Sequence, residues 1–163
     1  KQRRRLMMKT QDDIDAFNKR NQLDLFKFDS SKPTTQMLGR WQPWHPGHTE
    51  LFKKALTETG QVCIMIRNVA GIVGIDAGGG RTAIQDDNPF NIDTVRKNII
   101  EALKLEGYEY RREYNIINVP NIVDISYGRG VGYTFTEHDL GKDIHNISAT
   151  NIRKEMRKQG KLE

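Results

Sequence analysis

The sequence predicts an α/β fold, a doubly wound parallel sheet with helices on both faces in three α/β/α layers. Three observations predict it. Strand-like runs alternate with helical periodicity from residue 34 to the C-terminus. The run Val62-Cys63-Ile64-Met65-Ile66 is apolar without alternation, as in a parallel strand covered on both faces. A loop dense in chemistry, residues 39–48, joins the first such strand to the first helix, where open α/β sheets bind their ligands. The chain has 163 residues, enough for one domain with one sizeable core.

In order, residues 1–33 read as an extension ahead of a domain spanning 34–163. Arg3-Arg4-Arg5 sits in a basic lead-in that reads as a disordered or partner-facing tail, with contact to a phosphate or nucleic acid as the alternative. Residues 11–20 have helical spacing through Ile14 and Phe17, with Asp12 and Asp13 suited to a first turn. Residues 23–28 alternate imperfectly, as an edge strand or a packed Phe pair. Residues 34–38 form the first core strand, and the helix after the loop carries Leu51, Phe52, Ala55 and Leu56 on one face until Gly60 closes it. Residues 61–67 are the second strand. Residues 68–90 read as a glycine-rich excursion or lid; they hold Gly78-Gly79-Gly80-Arg81 but no P-loop pattern.

Ile92, Val95, Ile99 and Leu103 mark a helix over 92–105 that Gly107 ends, with Asp93, Arg96, Lys97 and Glu101 facing away. Residues 114–119 are a β-branched third strand. Residues 122–126 fit a short strand or a helical turn, and 133–138 a last strand. Between them Arg129 stands in a glycine-spaced stretch, as a ligand contact or a solvated turn residue. Ser148 N-caps a final helix over 148–159.

The loop's chemistry follows from its parts. Gly39 allows a tight turn and close approach of backbone to a ligand. Pro46 suits the first helical position. The helix N-terminus then aims its N–H groups and positive dipole end into the crevice. His45, His48 and Arg40 add donors and charge, and together they describe a site for a polyphosphate. A metal pair or plain turn residues are the competing readings, and one cysteine in the whole chain weakens any zinc site. Trp41 and Trp44 either stack on a ring or pack beneath the loop. Asp86 and Asp87 either position a magnesium ion or serve turn chemistry.

His45-Pro46-Gly47-His48, after a strand, resembles the His-x-Gly-His signature of the nucleotidylyltransferase superfamily, and Ile147-Ser148-Ala149-Thr150-Asn151-Ile152-Arg153 resembles its second signature, Ile-Ser-x-Thr-x-x-Arg. The resemblance covers residues 35–157 and implies a Rossmann-like, cytidylyltransferase-like domain. Asn88-Pro89-Phe90 before a helix is similar to archaeal-type nicotinamide-mononucleotide adenylyltransferases, where it lies near the acceptor. The stretch 69–85 departs from that branch.

The resemblance implies transfer of a nucleoside monophosphate, with AMP from ATP favoured by the second signature, to a phosphorylated small molecule, releasing pyrophosphate. It implies His45, His48 and Arg153 as catalytic residues. Gly39, Arg40, Trp41, Gln42, Gly47, Ser148, Ala149 and Thr150 would hold the nucleotide, and Asn88, Pro89, Phe90 and Arg129 the acceptor. Magnesium (Mg2+) would arrive with the nucleotide, with no dedicated metal ligands on the protein. Two alternatives stand beside this: a cytidylyltransferase using CTP and a small phospho-alcohol or phospho-sugar, and a non-catalytic nucleotide- or nucleic-acid-binding domain. The net charge of +5 suits anionic ligands. No apolar run is long enough to span a membrane, and a lone Cys63 fits a reducing cytoplasm. No nucleic-acid partner is expected, and a homo-oligomer is left open.

Overall fold

The computed structural model describes Thr10 and residues 12–13, 27–70, 73–76, 82–84, 87–130 and 132–162, with backbone alone for 73–76 and 82–84. Most of the helix expected over 11–20 (all but the helical Asp12 and Asp13), most of 23–28, the Arg3-Arg4-Arg5 run, the run Gly78-Gly79-Gly80-Arg81 and Asp86 lie outside the described residues.

The fold is α/β around a small parallel sheet. Strand β1 (Thr35–Gly39), helix α1 (Pro46–Thr59) and strand β2 (Val62–Arg67) come first. Strands β3 (Val73–Asp76) and β4 (Thr82–Ile84) follow, then helix α2 (Ile92–Leu105) and strand β5 (Tyr114–Val119). Helices α3 (Lys142–His145) and α4 (Ala149–Lys158) end the described chain. The parallel sheet has the order β1-β2-β5, so α1 and α2 are the two crossovers.

Register explains the core. Met37, Ile64 and Ile116 are direct partners across the three strands and form one buried row. Phe52 and Ala55 of α1 and Val95, Ile99 and Leu103 of α2 join the same cluster. Burial of each of these side chains other than Ala55 contributes about 1.5–3 kcal/mol. Burial along β2 therefore alternates, Val62, Ile64 and Ile66 inward and Cys63, Met65 and Arg67 half-buried, where the apolar run predicted cover on both faces. Arg96 also departs from expectation. It folds back on the sheet, donating to the Ile116 carbonyl at 3.4 Å, and lies 6.0 Å from the Tyr110 ring.

Helix ends follow their signals. Gly60 takes φ 86° and donates to the Leu56 carbonyl at 2.8 Å. Asn91 caps α2 by accepting from the Thr94 N–H at 2.9 Å. Gln61 straps the incoming chain to the base of the sheet. Its amide donates to the Asp29 carbonyl at 2.7 Å and to the Thr34 hydroxyl at 2.6 Å, and its Oε1 accepts from the Asp29 N–H at 3.1 Å.

Two expectations need correction. The excursion at 68–90 contains a short antiparallel pair, β3 with β4, whose register shifts between Val73 and Ile75. Gly74 sits in that irregularity, and glycine in a short strand hides the apolar pattern. Residues 122–126 and 133–138 adopt no regular structure. Pro120 removes a donor at the end of β5, and the glycines at 128, 130 and 132 disfavour extended pairing. Val123, Ile125, Tyr127, Tyr133 and Phe135 are exposed as a result, with Tyr127 stacked on Phe135 at 5.1 Å. No helix among the described residues is long and apolar enough to cross a membrane.

Candidate functional site at the first strand–helix loop

The loop leaves the carboxyl end of β1 and enters α1 through two histidines that cap the helix together. His45 is the N-cap residue, and its Nδ1 accepts from the Gly47 N–H at 3.1 Å. His48 Nδ1 accepts in turn from the His45 N–H at 3.2 Å. The pair thus satisfies N–H groups that a helix start leaves orphaned. A neutral imidazole that accepts at Nδ1 carries its proton on Nε2. Both rings therefore present an Nε2–H donor, and they lie stacked at 3.6 Å and 20°.

Burial keeps them neutral. Desolvation pushes the His48 pKa down to about 3, with the neighbouring His45 charge adding to the shift. Desolvation also lowers His45. The enclosure comes from the tryptophans. Trp41 meets the His48 ring edge-on at 4.8 Å, and Trp44 lies 5.4 Å from it. Both indoles are buried, with Trp41 Nε1–H donating to the Met65 carbonyl at 3.0 Å and Trp44 Nε1–H to the Thr49 hydroxyl at 2.9 Å. They pack under the loop. Trp41 has φ 55°, a left-handed backbone rare for a bulky residue.

Each glycine of the loop is required by a neighbour. A Cβ on Gly47 would stand 2.8 Å from His45 Cε1, and one on Gly39 would stand 2.9 Å from the Trp41 indole. Glycine thus lets the His45 ring fold over the helix start and the Trp41 ring fold over the strand end.

Arg153 joins the second sequence motif to the first. It is 3 % exposed. Its Nη1 donates to the Gln42 carbonyl at 2.7 Å, across 111 residues of chain, and Nη2 donates to the Thr150 hydroxyl at 3.3 Å. Asp87 pairs with the same guanidinium at 3.6 Å. Burial lowers the Arg153 pKa, Asp87 opposes this, and Arg40 and Arg157 add to it. A buried guanidinium with three partners pins the start of α4 against the histidine loop.

Asn88 and Phe90 complete the frame. Arg40 donates to Asn88 Oδ1 at 3.1 Å. The Gln42 side chain donates to the Phe90 carbonyl at 2.8 Å and accepts from the Phe90 N–H at 2.9 Å. Asn88-Pro89-Phe90, expected beside an acceptor, thus docks directly on the Arg40–Gln42 segment. Ser148 caps α4, its Oγ accepting from the Asn151 N–H at 3.3 Å. Ala149 and Thr150 form the first turn.

The structure therefore brings together Gly39, Arg40, Trp41, Gln42, His45, Gly47 and His48 with Asn88, Phe90, Thr150 and Arg153. Arg129 is exposed, and no hydrogen bond or ion pair ties it to these residues. One contributor escaped sequence reading: Thr49, which belongs to no motif, holds Trp44. Asp87, read from the sequence as a magnesium or turn residue, pairs with Arg153. No group of three or more His, Cys, Asp or Glu among the described residues has the geometry to hold a metal ion. In comparisons with known proteins, no family model matches the chain and no curated protein sequence matches it.

Proposed function

We propose that the protein is a nucleotidylyltransferase, passing a nucleoside monophosphate from a nucleoside triphosphate, ATP before CTP, to a phosphorylated small molecule. The observation that carries this reading is the bond from Arg153 to the Gln42 carbonyl, which holds the His-x-Gly-His loop against the Ser148 helix. That union gives the resemblance of the two signatures a physical basis. The reading includes a doubly wound, three-layer Rossmann-like sheet and a cytoplasmic setting.

The chemistry asks for positioning and charge stabilisation, with no nucleophile on the protein. An oxygen of the acceptor phosphate attacks the α-phosphorus, the bond from that phosphorus to the bridging oxygen breaks, and pyrophosphate leaves. The Nε2–H groups of His45 and His48 are neutral donors that a phosphate oxygen gaining charge can use without losing a proton to it. Arg40 and the α4 N-terminus with Ser148, Ala149 and Thr150 would hold the β and γ phosphates. Arg153 would act chiefly by fixing the loop. Magnesium supplies charge neutralisation on the triphosphate. The described residues offer no cluster to hold it, and Asp87 is engaged with Arg153.

The experiment is pyrophosphate release with ATP, CTP, GTP and UTP in turn, against a panel of phosphorylated acceptors. A single productive pair is the expected result, and CTP as the active nucleotide would move the assignment to a cytidylyltransferase. His48→Ala should lower kcat far more than it raises KM. Nucleotide binding without turnover, and with affinity untouched by His48→Ala, would overturn the catalytic reading.

A further inference from the structure

Gln42 is joined to two other parts of the chain, one through its side chain and one through its backbone. It is 4 % exposed. Its Nε2 donates to the Phe90 carbonyl at 2.8 Å, and its Oε1 accepts from the Phe90 N–H at 2.9 Å. One primary amide thus pairs with both backbone groups of one residue. The Phe90 N–H needs an acceptor and the Phe90 carbonyl a donor, so the pair also fixes which end of the amide is nitrogen. The Gln42 backbone carbonyl is taken by Arg153 Nη1 at 2.7 Å.

These bonds set three helix starts against one another. Phe90 immediately precedes Asn91, the residue that caps α2. Gln42 stands three residues before His45, the residue that caps α1 and stacks on His48. Arg153 belongs to α4, whose cap is Ser148. Arg40 adds a second tie between the same two loops through Asn88 Oδ1 at 3.1 Å. The resemblance makes Gln42 a contact of the nucleotide. Here both ends of its amide are spent on Phe90, and burial leaves almost none of its surface for a ligand.

We infer that Gln42 is a positioning residue, which holds segment 88–91 in register with the His45–His48 pair, and that turnover, not nucleotide affinity, depends on it. The inference rests on the nucleotidyl-transfer reading. A displacement of about 1 Å between groups that must meet in the reaction lowers turnover on the order of 100-fold.

Gln42→Glu on the full chain tests it, because that variant switches the pair with pH. A protonated carboxyl donates to the Phe90 carbonyl and accepts from the Phe90 N–H, as the amide does; an ionised one has no proton to donate. Burial raises the pKa of that carboxyl above its ordinary value of about 4.3. The pair therefore holds in acid and is released as pH rises through the raised value. Two quantities are measured relative to wild type from pH 5 to pH 8: protection of the Phe90 N–H against hydrogen exchange, and kcat for pyrophosphate release with a productive nucleotide and acceptor. In Gln42→Glu, kcat should lie within about threefold of wild type at pH 5 and fall at least about tenfold below it by pH 8. Phe90 protection should fall in step, and KM for the nucleoside triphosphate should stay within about threefold. Gln42→Met, which lacks the donor at every pH, should be low throughout and also serves if Gln42→Glu unfolds. A kcat ratio in Gln42→Glu that ignores pH, or wild-type kcat in Gln42→Met, would overturn the assignment. A raised KM for the triphosphate with kcat kept would do the same and return Gln42 to the nucleotide. If wild type transfers nothing, Phe90 protection that titrates in Gln42→Glu upholds the register and sinks nucleotidyl transfer, and protection that does not titrate sinks both.

Discussion

His48 holds its imidazole between two indoles, and that enclosure sets its protonation. The folded pKa is about 3, below the ordinary 6.5. Between these values the unfolded chain binds a proton at this site that the folded chain does not, so stability rises with pH across the window and is lost as acid approaches the lower value. His45 is shifted the same way. The urea midpoint should therefore fall from pH 7 to pH 5, and His48→Gln should flatten the fall. An equal slope in the variant would mean that His48 is open to solvent. Gly47 gives a steric counterpart. The Cβ of Gly47→Ala would collide with His45 Cε1, so the donor pair should be misaimed with the fold kept. Turnover should drop on the order of 100-fold, as for a 1 Å misplacement, while the melting temperature changes little. At this scale the sequence was readable where residue type alone states the chemistry, as with His45, Gly47 and His48. It left Asp87 between magnesium and turn chemistry and was silent on Thr49, because their roles are decided by a partner distant in sequence and by a side-chain direction. The tryptophans could be read two ways until their N–H groups were seen to bond Met65 and Thr49.

Helix α4 depends on two local devices that act at different ranges. Ser148 stabilises its first turn, and Ser148→Ala should cost about 1 kcal/mol, measurable as a shift of roughly 2–4 °C in melting temperature for a chain of this size. Arg153 carries the helix to the loop. Arg153→Lys keeps a charge but cannot span Gln42, Thr150 and Asp87 from one ammonium group. Activity should fall at least tenfold in Arg153→Lys, and nucleotide should bind more weakly; wild-type behaviour in that variant would show that the helix and loop are held by other contacts. Elements with strong periodicity or clear caps were legible to within a residue, α2 and β5 above all. The β3–β4 pair was hidden because strands of four and three residues with a glycine bulge leave too little pattern. The segment 122–138 misled in the opposite direction. Its Val, Ile, Tyr and Phe favour strands locally, yet a strand exists only where a neighbour pairs with it, and pairing is decided by the rest of the fold.

The candidate site is assembled from three separated parts of the chain, residues 39–48, 87–90 and 148–153, so a ligand spanning them links the ends of the domain. Any ligand that binds only the folded state raises its stability by mass action, about 2.7 kcal/mol at a hundredfold excess over Kd. For a domain of this size that corresponds to a rise of roughly 5–10 °C in melting temperature. Magnesium with ATP should give a rise of this order. Tripolyphosphate should give part of it, because Arg40, the paired histidines and the α4 N-terminus address phosphate. Adenosine alone should give little. In His48→Ala the shift with ATP should persist in reduced form, because His48 contributes most where charge develops during transfer, not in the resting complex. A shift with adenosine equal to that with ATP would place recognition on the base and remove the polyphosphate from the centre of the site. No shift with any of the three would separate the Arg153–Gln42 union from nucleotide binding altogether and leave it as a device of folding.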